Sequence, residues 1–488
     1  MNQDTEIKNM ENRSTSTSLF SGTIYLMLGQ GVFILSGYGA HVYLARVFGP
    51  ENYGLFGIVI SILIWFELAI IRGVPTTVQK FLSKEEDQAY AIKKISLRLQ
   101  LCFAAFITLI LYIFAPAIAE FLKDARLVFF LRLASIDIII YGIYSVYLGI
   151  QNGLGKFEKQ SLLTITYSVG KFLAILLLVN WGFSVTGAVI GNILGSCLGL
   201  ILGFFLTRIE KSSGYYDNVK LIKFTVPIVL VFLGSDLLYN IDLWSVKFFL
   251  SDAKTGHYIA AQNIARIPVF LFYALSFTLL PSLSKSINDK NLALTKSYIT
   301  QATRILLLIL TPLTLLVIST SNDLIALLYT DKYQPAADIL NILIVGFGFL
   351  AFFFTLSSAI IAANKPYWLF GLAATLVLID VILNVHLVPL LKEAGAAVAT
   401  TITALLGTIV LGFALLKKFK ALVDLGSFFK ISAASIVLYF ISSLYSLEGG
   451  WLILNYIGLG SVYLILLLLF KEIKLQDIQN IKTALKIA

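Results

Sequence analysis

Apolar residues in this chain come in runs of about twenty, each closed by a short polar or charged cluster, from Leu19 to Phe470. A helix of about 20 residues crosses the ~30 Å hydrocarbon core of a bilayer, so each run is long enough to span one. Cutting the pattern at the charge clusters predicts fourteen spans. They lie near 20–45, 53–78, 96–119, 128–150, 161–180, 183–208, 222–249, 258–283, 302–322, 337–362, 367–388, 394–416, 428–446 and 450–470. Only Trp181 and Gly182 separate the fifth from the sixth. The expected fold is an all-α polytopic membrane protein.

Composition sharpens this. Hydrophobic residues make up 58% of the 488 and charged residues 13%, with a mean hydropathy of +0.88. Soluble domains carry about 25% charged residues, so an ordinary cytosolic enzyme is excluded. Cys102 and Cys197 both sit inside apolar runs and form neither a disulfide framework nor a metal site. The N-terminus is polar to Ser18 and lacks a small-residue cleavage site, so no removable signal peptide is expected.

The 37 Lys and Arg residues are distributed unevenly. The N-terminus, the loops after even-numbered spans and the C-terminus together hold 26, including Lys80, Lys84, Lys93, Lys94 and Arg98. The remaining loops hold six: Arg46, Lys123, Arg126, Lys254, Lys332 and Lys392. Basic residues favour cytoplasmic loops, which predicts a cell-membrane protein with both termini cytoplasmic and an even number of spans. The net charge of +10 is scattered over short loops, where it suits anionic lipid heads; no nucleic-acid partner is expected. The loops leave no room for a catalytic domain, which argues against an enzyme.

The chain also resembles itself. Arg46-Val47-Phe48-Gly49-Pro50-Glu51-Asn52-Tyr53-Gly54 leads from span 1 to span 2, as Phe248-Phe249-Leu250-Ser251-Asp252-Ala253-Lys254-Thr255-Gly256 leads from span 7 to span 8. Leu154-Gly155-Lys156-Phe157 matches Ala363-Asn364-Lys365-Pro366, and Gly187-Ala188-Val189 matches Gly395-Ala396-Ala397. Offsets of 202 to 209 residues predict two six-span halves plus two further spans. Because six is even, the halves share one orientation and relate by a pseudo-two-fold axis along the membrane normal, an arrangement that builds transporters. The expected segments are a tail over 1–19, an N-lobe over 20–209, a linker over 210–221, a C-lobe over 222–417, two helices over 428–470 and a tail over 471–488.

Ala45-Arg46-Val47-Phe48-Gly49-Pro50-Glu51-Asn52-Tyr53-Gly54-Leu55-Phe56-Gly57 resembles the first-loop signature of the polysaccharide transporter family. These are lipid-linked oligosaccharide flippases of O-antigen and capsule synthesis, within the multidrug/oligosaccharidyl-lipid/polysaccharide exporter superfamily. The stretch Gly256-His257-Tyr258-Ile259-Ala260-Ala261-Gln262-Asn263-Ile264-Ala265-Arg266-Ile267-Pro268 resembles the matching element of the second half. The resemblance implies a V-shaped pair of lobes whose cleft opens alternately to each side. It implies a polyprenyl-diphosphate-linked glycan as substrate, and a groove for the lipid tail along the last two helices. Membrane lipids and polysaccharide polymerase or export machinery are the implied partners. A cleft within one chain predicts a monomer.

Ionisable residues inside spans cost roughly 2.5–3.5 kcal/mol each at a helix centre, so they mark candidate function. The basic ones are Arg72, Arg132, Lys171, Lys247 and Arg266; the acidic ones are Glu67, Asp137, Asp236, Asp242 and Asp380. A diphosphate crosses hydrocarbon only when paired, and arginine's planar fork pairs it bidentately. Arg266, two residues before Pro268 and one turn after Gln262, is the first candidate, with Arg72 in the corresponding part of the first half. Arg132, near a span end, also fits simple snorkelling. Lys247, Asp236 and Asn240 form a polar stripe in span 7, while Asp137, Tyr141 and Tyr144 share a face of span 4 suited to sugar.

Gly153-Leu154-Gly155-Lys156-Phe157 fails the phosphate-loop pattern, so no nucleotide or other cofactor is expected. Coupling to Na⁺ or H⁺ remains, with Asp236, Asp380, Asn384 and Thr400 or Thr401 as oxygen donors, Thr401 being the residue taken into the set. His41, His257 and His386 are scattered and read as packed or interfacial residues. Two alternatives to a flippase are a cation-coupled drug or metabolite exporter of the same superfamily, which needs no lipid groove, and a membrane enzyme or scaffold, which must explain the embedded charges by packing alone.

Overall fold

The computed structural model describes residues 3–83, 85–210, 221–222, 225, 229, 237–363, 365–447 and 449–473. Among them the regular elements are helices: α1 (Gln3–Arg72), α2 (Val74–Leu82), α3 (Ala89–Phe121), α4 (Arg126–Gly153), α5 (Phe157–Leu178) and α6 (Ser184–Leu206). After the sparsely described 211–236 come α7 (Ile241–Phe249), α8 (Asp252–Ala265), α9 (Ile267–Asn288), α10 (Leu292–Ser319) and α11 (Ser321–Leu328). The chain ends with α12 (Ala336–Ala362), α13 (Pro366–Leu391), α14 (Glu393–Phe419), α15 (Leu425–Ser443) and α16 (Trp451–Leu469).

Ten apolar helical stretches among the described residues are long enough to cross a membrane. Two of them, of 59 and 50 residues, are each long enough for two crossings. The first is broken inside α1 at Gly49, whose φ of 69° and ψ of 176° favour glycine, with Pro50 next. The second breaks between α5 and α6 at the positive φ of Gly182 and Ser184. Most of the first half of the expected seventh span and most of the 210–221 linker fall outside the described residues, as does most of the 471–488 tail.

The chain divides into two compact units, residues 1–48 with 55–236, and residues 49–54 with 237–488. In unit 1, α6 packs on α5 and α4. Every fourth residue of its contact face is glycine. A Cβ on Gly191 would stand 2.7 Å from the Ile175 amide nitrogen, and one on Gly195 2.8 Å from Lys171 Cα. Gly199 and Gly203 press equally closely on the rings of Tyr144 and Tyr147, 2.8 Å in each case. Lipid offers helices little hydrophobic drive to associate, so small residues that admit close van der Waals contact hold such a bundle together.

Unit 2 reuses the same hairpin. Lys392, between α13 and α14, has φ 57° and ψ −135°; Ser184, 208 residues earlier between α5 and α6, has φ 47° and ψ −136°. The two final helices attach to α10 through polar contacts. Tyr463 donates to the Leu308 carbonyl at 2.9 Å, and the Thr320 and Tyr456 hydroxyls meet at 2.6 Å. Buried Glu472 accepts from Arg304 Nε at 2.7 Å and lies 3.8 Å from Lys430 Nζ.

The six residues 49–54 belong to unit 2 although unit 1 flanks them on both sides. Gly54 faces the Asp252 carbonyl and the Gly256 amide, while Gly256 faces the Pro50 carbonyl, so the two repeated loops meet glycine to backbone. Tyr53 between them is fully buried against Tyr329 and Tyr333, and its hydroxyl accepts from Asn263 Nδ2 at 2.9 Å. His257 meets the Lys332 carbonyl at 3.0 Å in the same layer, a packed role. Tyr53→Phe removes the hydroxyl that accepts from Asn263 and is expected to cost at least about 1 kcal/mol in a thermal-melt comparison. Gly256→Ala drives a Cβ into the Pro50 carbonyl and should lower the melting temperature further.

Candidate functional site

Each unit buries a cluster of ionisable side chains. In unit 2 the cluster is assembled by α7, α8, α13 and α14. Asp242, in the first turn of α7, is fully buried. Its Oδ2 accepts from the Tyr258 hydroxyl at 2.7 Å and the Thr400 hydroxyl at 3.2 Å, and Gln262 Nε2 stands 3.1 Å from both carboxylate oxygens. Asp380 on α13 lies in the field of Asp242, and its Oδ1 accepts from Thr403 at 3.2 Å. One turn along, Asn384 Nδ2 donates to the Asp380 carbonyl at 2.9 Å, which aims the amide oxygen the other way. Asp380 Oδ2 and Asn384 Oδ1 are both buried, and no donor among the described residues reaches either. Buried oxygens left this way are the ligands a hard cation takes.

Arg266 sits at the break between α8 and α9, which the following Pro268 helps impose. Its guanidinium donates to the Tyr239 carbonyl and lies 3.3 Å from Asn240 Oδ1, 5.9 Å from the Phe347 ring centroid, and within the field of Asp242. Among the described residues this cluster holds two acids, Asp242 and Asp380, and one base, Arg266.

In unit 1 the cluster joins α1, α4, α5 and α6. Asp137 is fully buried and Glu67 is 7% exposed. They lie in each other's electrostatic field and in that of Lys171. Asn192 Nδ2 donates to Asp137 Oδ2, and the Ser196 hydroxyl, one turn on, donates to the Asn192 carbonyl at 3.4 Å. Beside them Tyr141, Tyr144 and Tyr167 pack with ring centroids 5.3 to 5.5 Å apart, and Lys171 Nζ lies 5.9 Å from the centre of Tyr167.

The expected residues divide between these clusters and other places. Asp137 and Tyr141, expected on one face of span 4, share this cluster with Lys171 of α5, and half-buried Arg72, the last residue of α1, acts electrostatically on Tyr141. Tyr144 differs from expectation: its hydroxyl is spent on the Leu163 carbonyl at 3.2 Å and its ring is covered by Gly199, so it packs the core. Arg132 stacks on exposed Tyr112, 4.7 Å from its centroid, and donates to that residue's carbonyl, a snorkelling placement. Lys247 of the expected polar stripe is ion-paired to Asp252 at the α7–α8 turn. Gln262 serves Asp242 and shares the Tyr239 carbonyl with Arg266. Thr401 donates to the Ile342 and Ala397 carbonyls, and the adjacent Thr400 is the one that faces the carboxylate. Asp236 lies outside the described residues. Glu67, Asp242, Tyr258, Asn192 and Thr403 complete the clusters. A 209-residue offset links Lys171 to Asp380 and was a usable signal for pairing the two sites.

A protein-family model described as "Polysaccharide biosynthesis protein" matches residues 43–338. The chain is 23% identical over 456 residues to the lipid II flippase MurJ of Bacillus subtilis (strain 168), covering 83% of each. A solved lipid II flippase MurJ in an inward closed conformation superposes with a TM-score of 0.75 at 18% identity, over 92% of this chain and 99% of that one. An inward-facing multidrug resistance MATE family transporter of the MOP superfamily superposes with a TM-score of 0.69 at 13% identity, over 81% of this chain and 99% of its own. The fold is therefore shared with both kinds of transporter.

Tyr258→Phe leaves one oxygen of buried Asp242 short of a donor. A hydrogen bond to a charged group contributes roughly 1.5–3 kcal/mol, and chemical denaturation of the variant should show a loss of that size.

Proposed function

The chain belongs to the polysaccharide biosynthesis protein family, and we propose from that premise that it is a flippase. It moves a polyprenyl-diphosphate-linked oligosaccharide from the cytoplasmic to the outer leaflet for cell-surface polysaccharide synthesis. One observation carries the reading. The flippase structure corresponds to 92% of this chain and the drug-transporter structure to 81%, both over 99% of their own lengths. The extra length favours the lipid-linked branch, where α15 and α16 give an acyl chain a surface to follow.

The chemistry is consistent with it. A diphosphate carries about two negative charges and needs cationic partners inside the protein. Arg266 in unit 2 and Arg72 in unit 1 supply guanidinium groups that stay charged at any physiological pH. Tyr141, half-buried beside Lys171, offers an aromatic face to a sugar ring.

Directional transport needs a gradient, and the unit 2 oxygens are the coupling site in this account. A proton on Asp380 would leave Asn384 Oδ1 without a partner; a Na⁺ ion would satisfy both, together with Asp242, Thr400 and Thr403. Purified protein should therefore melt higher in sodium chloride than in choline chloride at equal ionic strength, and Asp380→Asn should abolish the difference. In cells, depletion should accumulate the lipid-linked oligosaccharide and reduce surface polysaccharide. Unchanged pools with raised sensitivity to cationic drugs would instead point to an exporter.

A further inference from the structure

The first turns of α10 carry polar side chains that take no part in either buried cluster. The helix has 28 residues, Leu292–Ser319. At 1.5 Å per residue it is about 42 Å long, against ~30 Å of hydrocarbon, so roughly two turns stand in the headgroup layer. Lys296, Ser297, Thr300, Gln301 and Arg304 mark its N-terminal end as the polar one. This end follows an even-numbered span, on the side where basic residues are expected to face the cytoplasm.

A cavity of about 520 Å³ opens along that face, lined by Ala293, Lys296, Ser297, Thr300, Gln301 and Arg304. Small-molecule sites occupy roughly 300–1,000 Å³, so a headgroup fits the space. Two of the lining residues are anchored. The Thr300 hydroxyl donates to the Leu422 carbonyl at 3.0 Å, which holds the approach to α15. Arg304 donates through Nε to Glu472 Oε1 at 2.7 Å and through Nη2 to the Glu472 carbonyl. Glu472 is buried, so it sets the guanidinium in place as a preformed donor. Two of the five N–H groups are spent in this way. Among the described residues no acceptor takes the other three, the Lys296 ammonium or the Gln301 amide. Bases outnumber acids here: Lys296, Arg304, Lys430 and exposed Lys471 stand against Glu472 and Asp424, the N-cap of α15.

The surroundings indicate the kind of anion. α15 packs on α10. Leu292 and Leu294 at the start of α10, and Leu425, Phe428 and Phe429 at the start of α15, are all exposed. A phospholipid sets its phosphate among donors and lays its acyl chains on apolar side chains beside them. Basic recesses between membrane helices suit anionic heads for that reason.

We propose that this cavity binds the phosphate of an anionic membrane phospholipid, with Arg304 and Lys296 as charged donors and Gln301 and Ser297 as neutral ones. The ligand is a lipid of the surrounding bilayer and not the transported molecule, so the site stands independently of the flippase reading. The bound head strengthens the joint between α10 and the two final helices, because the same guanidinium holds Glu472 just beyond α16.

The test is native mass spectrometry of the full chain, released from micelles that contain equal amounts of phosphatidylglycerol and phosphatidylcholine. The wild type should retain one phosphatidylglycerol in preference to phosphatidylcholine. Lys296→Glu and Gln301→Glu put a carboxylate at the cavity without touching Arg304 or buried Glu472, and each should weaken that retention about tenfold. Lys159→Glu, at an exposed position of α5, matches the net charge of Lys296→Glu and should leave retention unchanged. Phosphatidylglycerol should also raise the melting temperature of the wild type more than that of Lys296→Glu. Equal retention of the two lipids by the wild type would overturn the proposal. A loss in Lys159→Glu as large as in Lys296→Glu would overturn it too, since binding would then follow overall charge. Stabilisation by inorganic phosphate equal to that by phosphatidylglycerol, and lost in Lys296→Glu, would overturn the lipid as the source of the anion.

Discussion

Charge placed inside hydrocarbon must be compensated there, and the organisation of this protein follows from that constraint. An isolated ionised side chain at mid-span costs several kcal/mol, and no ordinary apolar contact returns that much. The chain meets the cost by gathering its embedded acids and bases into one cluster per unit. Elsewhere single bases are retired: Lys247 against Asp252, Arg132 onto Tyr112 at the surface.

Holding such clusters in register demands rigid helices in close contact, and the glycines of α6 supply that in unit 1. Lys171 is set where it is because Gly195 lets the α5 backbone come within touching distance. In unit 2 the helix breaks at Arg266. Around it Gln262 and Arg266 share the Tyr239 carbonyl, while Gln262 also holds Asp242 and Arg266 reaches Asn240. Two repeats of one hairpin thus support two different chemistries, since each site depends on a few polar side chains at equivalent positions.

Much of the fold was legible in the order of residues. Hydropathy alone located the apolar helices, because the backbone of a spanning segment must satisfy its own hydrogen bonds and so takes one conformation. The repeat was legible because glycines recur where the backbone is crowded, Gly54 with Gly256 and Gly187 with Gly395. The clusters were only half legible. Composition identified Glu67, Asp137, Asp242 and Asp380 as embedded, but which partner each meets depends on helix rotation and on breaks that a helical wheel assumes away. Thr400 and Thr401 are adjacent in sequence and face about 100° apart, so a single residue of uncertainty changes the ligand. Tyr144 looked exposed to a cleft because its packing partner, Gly199, is distant in sequence.

The central claim is that the chain carries a lipid-linked glycan from one leaflet to the other. It is tested most directly by reconstituting the purified protein in vesicles with a fluorescent polyprenyl-diphosphate oligosaccharide and quenching the outer leaflet. Protein-dependent exchange of the probe between leaflets, lost in Arg266→Ala protein that melts normally, is the predicted result. Exchange no faster than in protein-free vesicles, with an imposed sodium or proton gradient, would contradict the account.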